Sequence, residues 1–202
     1  SMKKQAGRLT SLRQKAASVV ERQMKEKLIP LGIPNVQFKV ELTPKEVPDE
    51  TGTDKINFLF SANKNGQLQP ISQVASGGEI ARVMLSLKAM ISGAVKLPTI
   101  IFDEIDTGVS GSIAEKMAHI MQEMGALNRQ VISITHLPQI AALGSTHYKV
   151  YKEDHAEGTS SHIVQLDEKG RVEEIAHMLS GTTLTDAAIN NAKELLNQSY
   201  RK

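Results

Sequence analysis

The stretch 97–108, LPTIIFDEIDTG, limits what this chain can fold into more than any other part of the sequence. Residues 99–102 form a short apolar run that is rich in β-branched side chains and lacks polar alternation. Such a run predicts a strand buried on both faces of a parallel sheet. Asp103 and Glu104 follow at its C-terminal end, where open α/β sheets place their chemistry. The stretch therefore predicts an α/β fold that presents two adjacent carboxylates.

A strand that ends in Asp-Glu has the form of a Walker B motif. In that motif the first carboxylate supports Mg²⁺, and the second polarises the water that attacks the γ-phosphate of a nucleotide. Acidic residues also end many strands simply because the chain reaches solvent there, so the motif needs support from its surroundings.

A second buried-type strand gives that support. Residues 131–134 are apolar apart from Ser133, and they lead into Thr135 and His136. The segment 110–124 between the two strands has helical periodicity, so the three elements predict a βαβ unit. Because the carboxyl ends of parallel strands meet at one edge, we expect His136 near Asp103 and Glu104, in position to touch a ligand phosphate.

A third motif, Ser76-Gly77-Gly78-Glu79, stands directly before an amphipathic helix. Glycines let backbone N–H groups approach a ligand closely, the serine adds a hydroxyl, and a helix N-terminus favours negative charge. These properties suit a phosphate cradle. The alternative is a plain helix cap followed by flexible glycines. The apolar face of the helix is predicted to comprise Ile80, Val83, Met84, Leu87 and Ile91.

The chain opens with a basic helical segment, predicted over about 3–29. Residues 1–30 carry eight basic side chains against two acidic ones, a local balance of +6. This surface can contact phosphates, as in DNA binding, or can simply be a solvated face. Four small or apolar residues recur at coiled-coil spacing, namely Leu9, Leu12, Ala16 and Val19. An amphipathic helix packed on its own domain would give a similar pattern.

The remaining elements are simpler. Strands are predicted at 36–42 and 56–60, with a loop over 44–54, and they suggest a small antiparallel sheet. Two further strands, 148–151 and 161–166, should pair around an acidic turn, and helices are expected near 172–179 and 185–196. We divide the chain into an opening helical segment, 1–30, and one α/β domain, 31–202; Ser1 and Met2 look like the remnant of a cleaved tag.

Composition excludes several classes of function. The chain lacks cysteine, which rules out disulfides and thiolate metal sites, and it holds no Trp and only 3% aromatic residues, which argues against base-stacking platforms. No apolar run reaches the length of a membrane span. None of five histidines shows H-x-x-x-H spacing, so no histidine metal site is predicted; they are His119, His147, His155, His162 and His177.

Taken in order, these motifs resemble the second half of an ABC-type ATPase head: signature motif, Walker B, D-loop and switch histidine. The surrounding text, VASGGEIARVMLSLKAM with FDEIDTGVSG and ITHLPQIAA, resembles the RecN family of bacterial SMC-like DNA-repair proteins over roughly 3–196. The resemblance implies the C-terminal lobe of an ABC/SMC-type P-loop ATPase head. That lobe would combine a mainly parallel sheet flanked by helices with extra antiparallel strands and a coiled-coil-derived N-terminal helix.

The resemblance also implies roles. Asp103 would support Mg²⁺, Glu104 would activate water, Asp106 would link two sites across a dimer, and His136 would contact the γ-phosphate. Ser76, Gly77, Gly78 and Glu79 would serve the ATP held by the opposite subunit. Ala75 and Glu79 depart from the common Leu and Gln of transporters.

No G-x-x-x-x-G-K-[ST] motif occurs in the sequence, so the loop that cradles the α- and β-phosphates is missing. The chain therefore resembles half of a head, inactive alone, whose partners would be its own N-terminal half, a second head and DNA, in the bacterial cytoplasm at the nucleoid. Two alternatives stay open, an ABC transporter ATPase fragment and a non-catalytic coiled-coil interaction module.

Overall fold

The computed structural model describes residues 2–74, 76–95, 97–126, 128–155, 158–181 and 183–198; Ser1 and Ala75, named above, lie outside them. The chain forms two compact units, Ser1–Lys96 and Leu97–Lys202. No helix in the described part of the chain is long and apolar enough to cross a membrane.

The first unit combines two helices with an antiparallel sheet. Helix α1 is Met2–Leu28, strands β1, β2 and β3 are Gln37–Asp49, Gly52–Ser61 and Gln69–Pro70, and helix α2 is Gly77–Ala94. The strands lie in the order β1-β2-β3, all antiparallel. The predicted small antiparallel sheet is therefore confirmed.

The predicted loop over 44–54 is wrong, because β1 and β2 continue through most of it to a tight turn. Pairing extends to Pro44 opposite Asp54, with a register shift before Asp49. Proline is tolerated there because β1 lies at the edge of the sheet. The turn needs Gly52, whose φ is +100° and whose Cβ would meet the Leu9 side chain at 3.0 Å. Contacts with α1 thus extend a hairpin that local sequence disfavours.

The core of the first unit joins the end of α1 to the sheet and to α2. Its members are Met24, Leu28, Ile33, Val36, Phe38, Phe60 and Val83. Earlier along α1, Leu12 and Val19 of the predicted coiled-coil seam are 55% and 43% exposed. The last turns of the helix therefore pack on this unit, as the amphipathic alternative predicted, whereas Leu12 and Val19 are left exposed.

The predicted apolar face of α2 is only partly correct. Val83 is 1% exposed, whereas Met84 and Ile91 are 38% and 48% exposed. The buried positions are Ala81, Val83, Leu85, Ser86 and Ser92. The helix has apolar residues on more than one side, and periodicity alone does not tell which side this unit covers.

The second unit begins with the predicted βαβ unit, which is confirmed. Strand β4 is Thr99–Asp103, helix α3 is Gly111–Ala126, and strand β5 is Gln130–Ile134. The strands are parallel, with Thr99 opposite Gln130 and Asp103 opposite Ile134. Helix α4 (Pro138–Leu143), the antiparallel hairpin of β6 (Tyr148–His155) and β7 (Gly158–Gln165), and helices α5 (Glu168–Ser180) and α6 (Asp186–Gln198) follow.

The expectation that the first apolar strand is buried on both faces is wrong for this chain. Ile100 and Phe102 of β4 are 5% and 1% exposed, but Ile101 between them is 54% exposed. On β5, Ile132 and Ile134 are 40% and 53% exposed. Apolar residues therefore stand on both faces of the strand pair, while the described residues cover one.

Candidate functional site

The sequence-predicted site residues fall into two groups, one in each compact unit. Ser76, Gly77, Gly78 and Glu79 open α2 in the first unit. The second unit holds Asp103, Glu104, Asp106 and His136, which follow the carboxyl ends of β4 and β5.

Glu104 occupies an unusual backbone conformation at the end of β4. Its φ is +47°, in the left-handed region that non-glycine residues seldom adopt. Its N–H donates to the carbonyl of Ile134 at 3.2 Å, and its own carbonyl accepts from the Thr107 hydroxyl at 3.0 Å. Holding a glutamate there costs about 1–3 kcal/mol, which the surrounding bonds must offset. The strand end thus fixes an exposed carboxylate in a strained turn.

Asp106 is the buried centre of the same turn. Its side chain is 1% exposed, and its Oδ2 accepts a hydrogen bond from the Thr135 hydroxyl. Among the described residues its Oδ1 has no hydrogen-bond partner, and His136 Nδ1 stands 3.8 Å from it. A buried carboxylate oxygen without a donor is costly, so such a group is a candidate for function. The turn after β4 and the turn after β5 are therefore connected through one carboxylate.

Thr135 is a site residue that the sequence reasoning did not single out. Its hydroxyl donates to Asp106 and accepts from the Leu137 N–H at 3.0 Å, so it joins the two turns. The side chain of His136, the next residue, is 68% exposed. The available signal was a hydroxyl residue directly before the histidine at a strand end, where side chains from neighbouring strands meet.

Asp103 shares a face with the uncovered isoleucines. In the parallel ladder Ile101 pairs with Ile132, and Asp103 pairs with Ile134, so all four side chains lie on one side of the strands. Asp103 is exposed. The Asp103 carboxylate, an oxygen ligand suited to Mg²⁺, therefore lies beside a solvent-exposed apolar surface.

The start of α2 has the form of an anion site. Ser76 caps the helix, and its Oγ accepts from the Glu79 N–H at 3.4 Å. The first intrahelical bond runs from Ile80 N to Ser76 O, which leaves the Gly77 and Gly78 amides without an intrahelical acceptor. The plain helix cap is thus present, and it leaves two amides that can still donate.

Gly77 is not required by the packing of this chain. A Cβ built on it would meet no atom of the described residues within 4 Å, and its φ is not in the left-handed region. The reason for a glycine therefore lies outside the described fold, and close approach of a ligand to the backbone is one such reason. Arg82 fixes the position of this turn, because it donates to Gly78 O and to Leu31 O, both at 2.9 Å.

Comparison with known proteins supports the resemblance that the motifs indicate. The chain is 34% identical over 192 residues to the DNA repair protein RecN of Vibrio cholerae, 37% over 196 residues to that of Bacillus subtilis, and 37% over 193 residues to that of Rickettsia typhi. The matches cover 95%, 92% and 96% of the chain. The resemblance to the RecN family is confirmed. The chain spans about a third of the length of these RecN relatives, 34% to 35%. No family model matches the chain.

Solved structures support the same fold. An SMC head domain with a coiled coil and joint from Pyrococcus yayanosii aligns with a TM-score of 0.62 at 20% identity, over 84% of this chain and 30% of that one. A structure from a study of ATP-driven dimerization and DNA-stimulated activation of SMC ATPases aligns with a TM-score of 0.56 at 17% identity, over 86% and 99%. The RecN-like chain therefore has the fold of an SMC-type head, as the sequence predicted.

Proposed function

We propose that this chain is the C-terminal half of the ATPase head of a RecN-like protein that acts in recombinational repair of DNA double-strand breaks. The observation that carries the proposal is Glu104, strained at φ +47° at the end of a parallel strand and bonded to the next strand. Strain of this kind persists where function requires it. The RecN relatives favour DNA repair over the transporter alternative.

Glu104 is the proposed general base. Its carboxylate is exposed at the sheet edge, and the bonds to Ile134 and Thr107 hold the backbone that carries it. A fixed carboxylate can orient a water molecule and accept its proton. Asp103, one residue earlier, would hold Mg²⁺, which would neutralise charge on the phosphates of bound ATP.

Asp106, Thr135 and His136 form the proposed link between the two turns. His136 is exposed, so its ring can reach a γ-phosphate. Asp106 keeps one oxygen on Thr135. Its second oxygen, 3.8 Å from His136 Nδ1, has no hydrogen bond within the described part of the chain and can accept a donor from an opposing head. The three residues would thus couple the catalytic turn to dimer formation.

Ser76, Gly77 and Gly78 are the proposed contact to ATP on the opposite head, with Glu79 in the same helical turn. Two amides without intrahelical acceptors, one hydroxyl and the positive end of α2 converge there. Open space at Gly77 gives a phosphate room to approach. This segment would therefore be completed only in a head-to-head homodimer.

The uncovered face of β4 and β5 fits the missing half of the head. Three isoleucines on that face are 40–54% exposed, and Asp103 lies among them. Apolar patches of this kind usually mark an interface. The N-terminal half, which would carry the phosphate loop absent from this sequence, is the proposed partner. We also propose DNA as a partner of the whole protein, at the nucleoid in the cytoplasm.

Co-expression tests the proposal. This chain alone should bind Mg-ATP weakly and should not hydrolyse it, because it has no phosphate loop. Together with the N-terminal half it should co-purify as a soluble complex with ATPase activity. Ile101→Asp should prevent co-purification, whereas Ile56→Asp, which changes an isoleucine on β2 that is also exposed (41% against 54% for Ile101), should not. Micromolar ATP affinity of the isolated chain, or two halves that never associate, would contradict the proposal.

A further inference from the structure

The β6–β7 hairpin carries a cluster of potential metal ligands far along the chain from the ATPase motifs. Glu153, His155 and His162 each direct one donor atom into a common region, and these donor atoms all lie within 4.8 Å of one another. Among the described residues, this is the only group of three such ligand side chains. The side chains are 57%, 50% and 42% exposed, so a hydrated ion can reach them.

Strand geometry brings the three residues together. Glu153 and His155 are two residues apart on β6, and residues at i and i+2 share a face. His162 lies on β7 opposite Tyr151, so its side chain joins the same face as Tyr151, Glu153 and His155. H-x-x-x-H is the spacing that places two histidines on one face of a helix. It therefore could not detect a ligand set built across two strands.

The distances suit a small tetrahedral ion. His162 Nε2 stands 3.4 Å from Glu153 Oε2, and His155 Nε2 stands 4.0 Å from the same oxygen. Around Zn²⁺, bonds of about 2.1 Å separate neighbouring tetrahedral donors by about 3.4 Å. Of the three pairs of donors, one already has that separation and the His155–Glu153 pair must close by well under 1 Å. The two histidine nitrogens lie within 4.8 Å of each other, so that pair must close by at most about 1.4 Å. The Tyr151 ring, stacked on His162 with centroids 5.3 Å apart, restrains the histidine.

We propose that Glu153, His155 and His162 bind a Zn²⁺-class divalent metal ion. Two imidazole nitrogens and one carboxylate oxygen form a donor set that zinc uses with water in the fourth position. Mg²⁺ prefers an all-oxygen octahedron and would compete poorly for it. This site is independent of the proposed ATPase chemistry, in which Asp103 supports Mg²⁺.

The metal would clamp a hairpin that has little other support. Nearly every residue of β6 and β7 is exposed, and isolated two-stranded hairpins are marginally stable in water. The proposed ligands lie at its outer end, where the last pairs are Asp154 with Thr159 and His155 with Gly158. A metal ion bound by residues of both strands would hold β6 and β7 together at this outer end of the hairpin.

Titration calorimetry with ZnCl₂ on the chelator-stripped, tag-free 202-residue chain tests the proposal. We expect one Zn²⁺ per chain, retained in millimolar Mg²⁺, and a Co²⁺ complex with the absorption of a tetrahedral ion. His155→Ala and His162→Ala should each weaken Zn²⁺ binding at least tenfold, a loss of the order of 10–100-fold being usual even for residues behind the ligands. Zn²⁺ should also slow amide hydrogen exchange in β6 and β7.

His119→Ala is the matched control. His119 lies 4.0 Å from Glu115 on a helix, a pair that belongs to no three-donor group in the described structure. Its removal should leave Zn²⁺ affinity unchanged. Because all these side chains are exposed, circular dichroism should show every variant folded. Unchanged affinity in a Glu153→Gln, His155→Ala, His162→Ala triple variant, or no binding at 1 mM Zn²⁺, would overturn the proposal; either result would leave the proposed ATPase function untouched.

Discussion

Two buried aspartates, one in each unit, differ in how completely their oxygens are bonded. Asp54, in the antiparallel sheet, accepts from Thr10 at 2.8 and 2.9 Å and from Arg13 at 2.9 Å. Asp106, after the parallel strand, has Thr135 on one oxygen and no hydrogen bond on the other. The first aspartate is fully hydrogen-bonded within its unit, whereas the second has one carboxylate oxygen that can accept a further hydrogen bond.

The sheets around these residues differ in the same way. In the first unit Phe38 and Phe60 are 3% and 2% exposed, closed in by α1 and α2. In the second unit β4 is covered on one face, with Ile101 open on the other. The comparison teaches that the first sheet is buried within its own unit, whereas the second sheet leaves side chains exposed that the proposed partner and ligand would contact.

The largest expected effect is a loss of ATP turnover in a head that remains folded. Glu104→Gln in a head assembled with the N-terminal half should slow ATP turnover by about 10²–10⁴-fold, because the amide cannot accept a proton. ATP binding should persist, and the ATP-bound dimer should live longer. Glu123→Gln, on an exposed part of α3, is the control and should leave turnover unchanged. Near-normal turnover in Glu104→Gln would show that Glu104 is not the base.

The next effect concerns stability and should separate the two sheets. Phe60→Ala removes a ring from the closed core and should lower the free energy of unfolding by about 3–5 kcal/mol. Ile101→Ala removes a side chain from the open face, so its cost in the isolated chain should be well below that. Urea denaturation of both variants measures the difference. Equal losses in the free energy of unfolding would contradict the exposure of Ile101 on the open face of the sheet.

A smaller effect tests the hydrogen bond from Thr135. Thr135→Val keeps the shape of the side chain but removes the hydrogen bond to Asp106 Oδ2. The change should lower the free energy of unfolding by about 1–3 kcal/mol. Thr10→Val removes a bond from Asp54 but leaves Arg13 in place, so its effect should be smaller. Unfolding experiments compare the two, and ATP turnover in the assembled head should fall for Thr135→Val alone. A larger loss of stability from Thr10→Val would reverse the comparison of the two aspartates.

The smallest effects are those of pH. Burial, and then the positive charge of Arg171, hold the pKa of His147 below its usual value, so the unfolded chain binds a proton more readily. Stability in the second unit should therefore decline as pH falls through about 6.5. Arg13, then Thr10, lower the pKa of Asp54, so its contribution should persist to about pH 4 and decline below it.

Amide hydrogen exchange at a series of pH values can assign each decline to its unit. His147→Gln should flatten the change between pH 7 and 5 in the second unit, and Asp54→Asn should flatten the change below pH 4 in the first. If exchange in the second unit does not respond to pH between 7 and 5, the assignment to His147 is wrong.

Sequence reasoning located the strands that carry the proposed site but not what surrounds them. Residues 99–102 and 131–134 are apolar on both faces, which correctly predicts parallel strands. The same pattern cannot tell whether the cover comes from this chain, and for Ile101 it does not. Thr135 was missed because its importance arises from Asp106, 29 positions earlier. Long-range pairings of this type, like Asp54 with Arg13, leave no local signature.

The packing of α1 has a mechanical consequence. Met24 and Leu28, at one end of the helix, share a core with Val83 of α2, the helix whose first turn holds Ser76 to Gly78. A helix of 27 residues extends about 40 Å. Thr10 and Arg13 in the first half of α1 bind Asp54, so α1 would tilt together with the β1–β2 hairpin. A tilt of about 10° about the packed end would then carry the other end through about 7 Å at that length. If α2 tilts α1 slightly when a phosphate binds, the far end of α1 would move by a distance comparable to the radius of a helix.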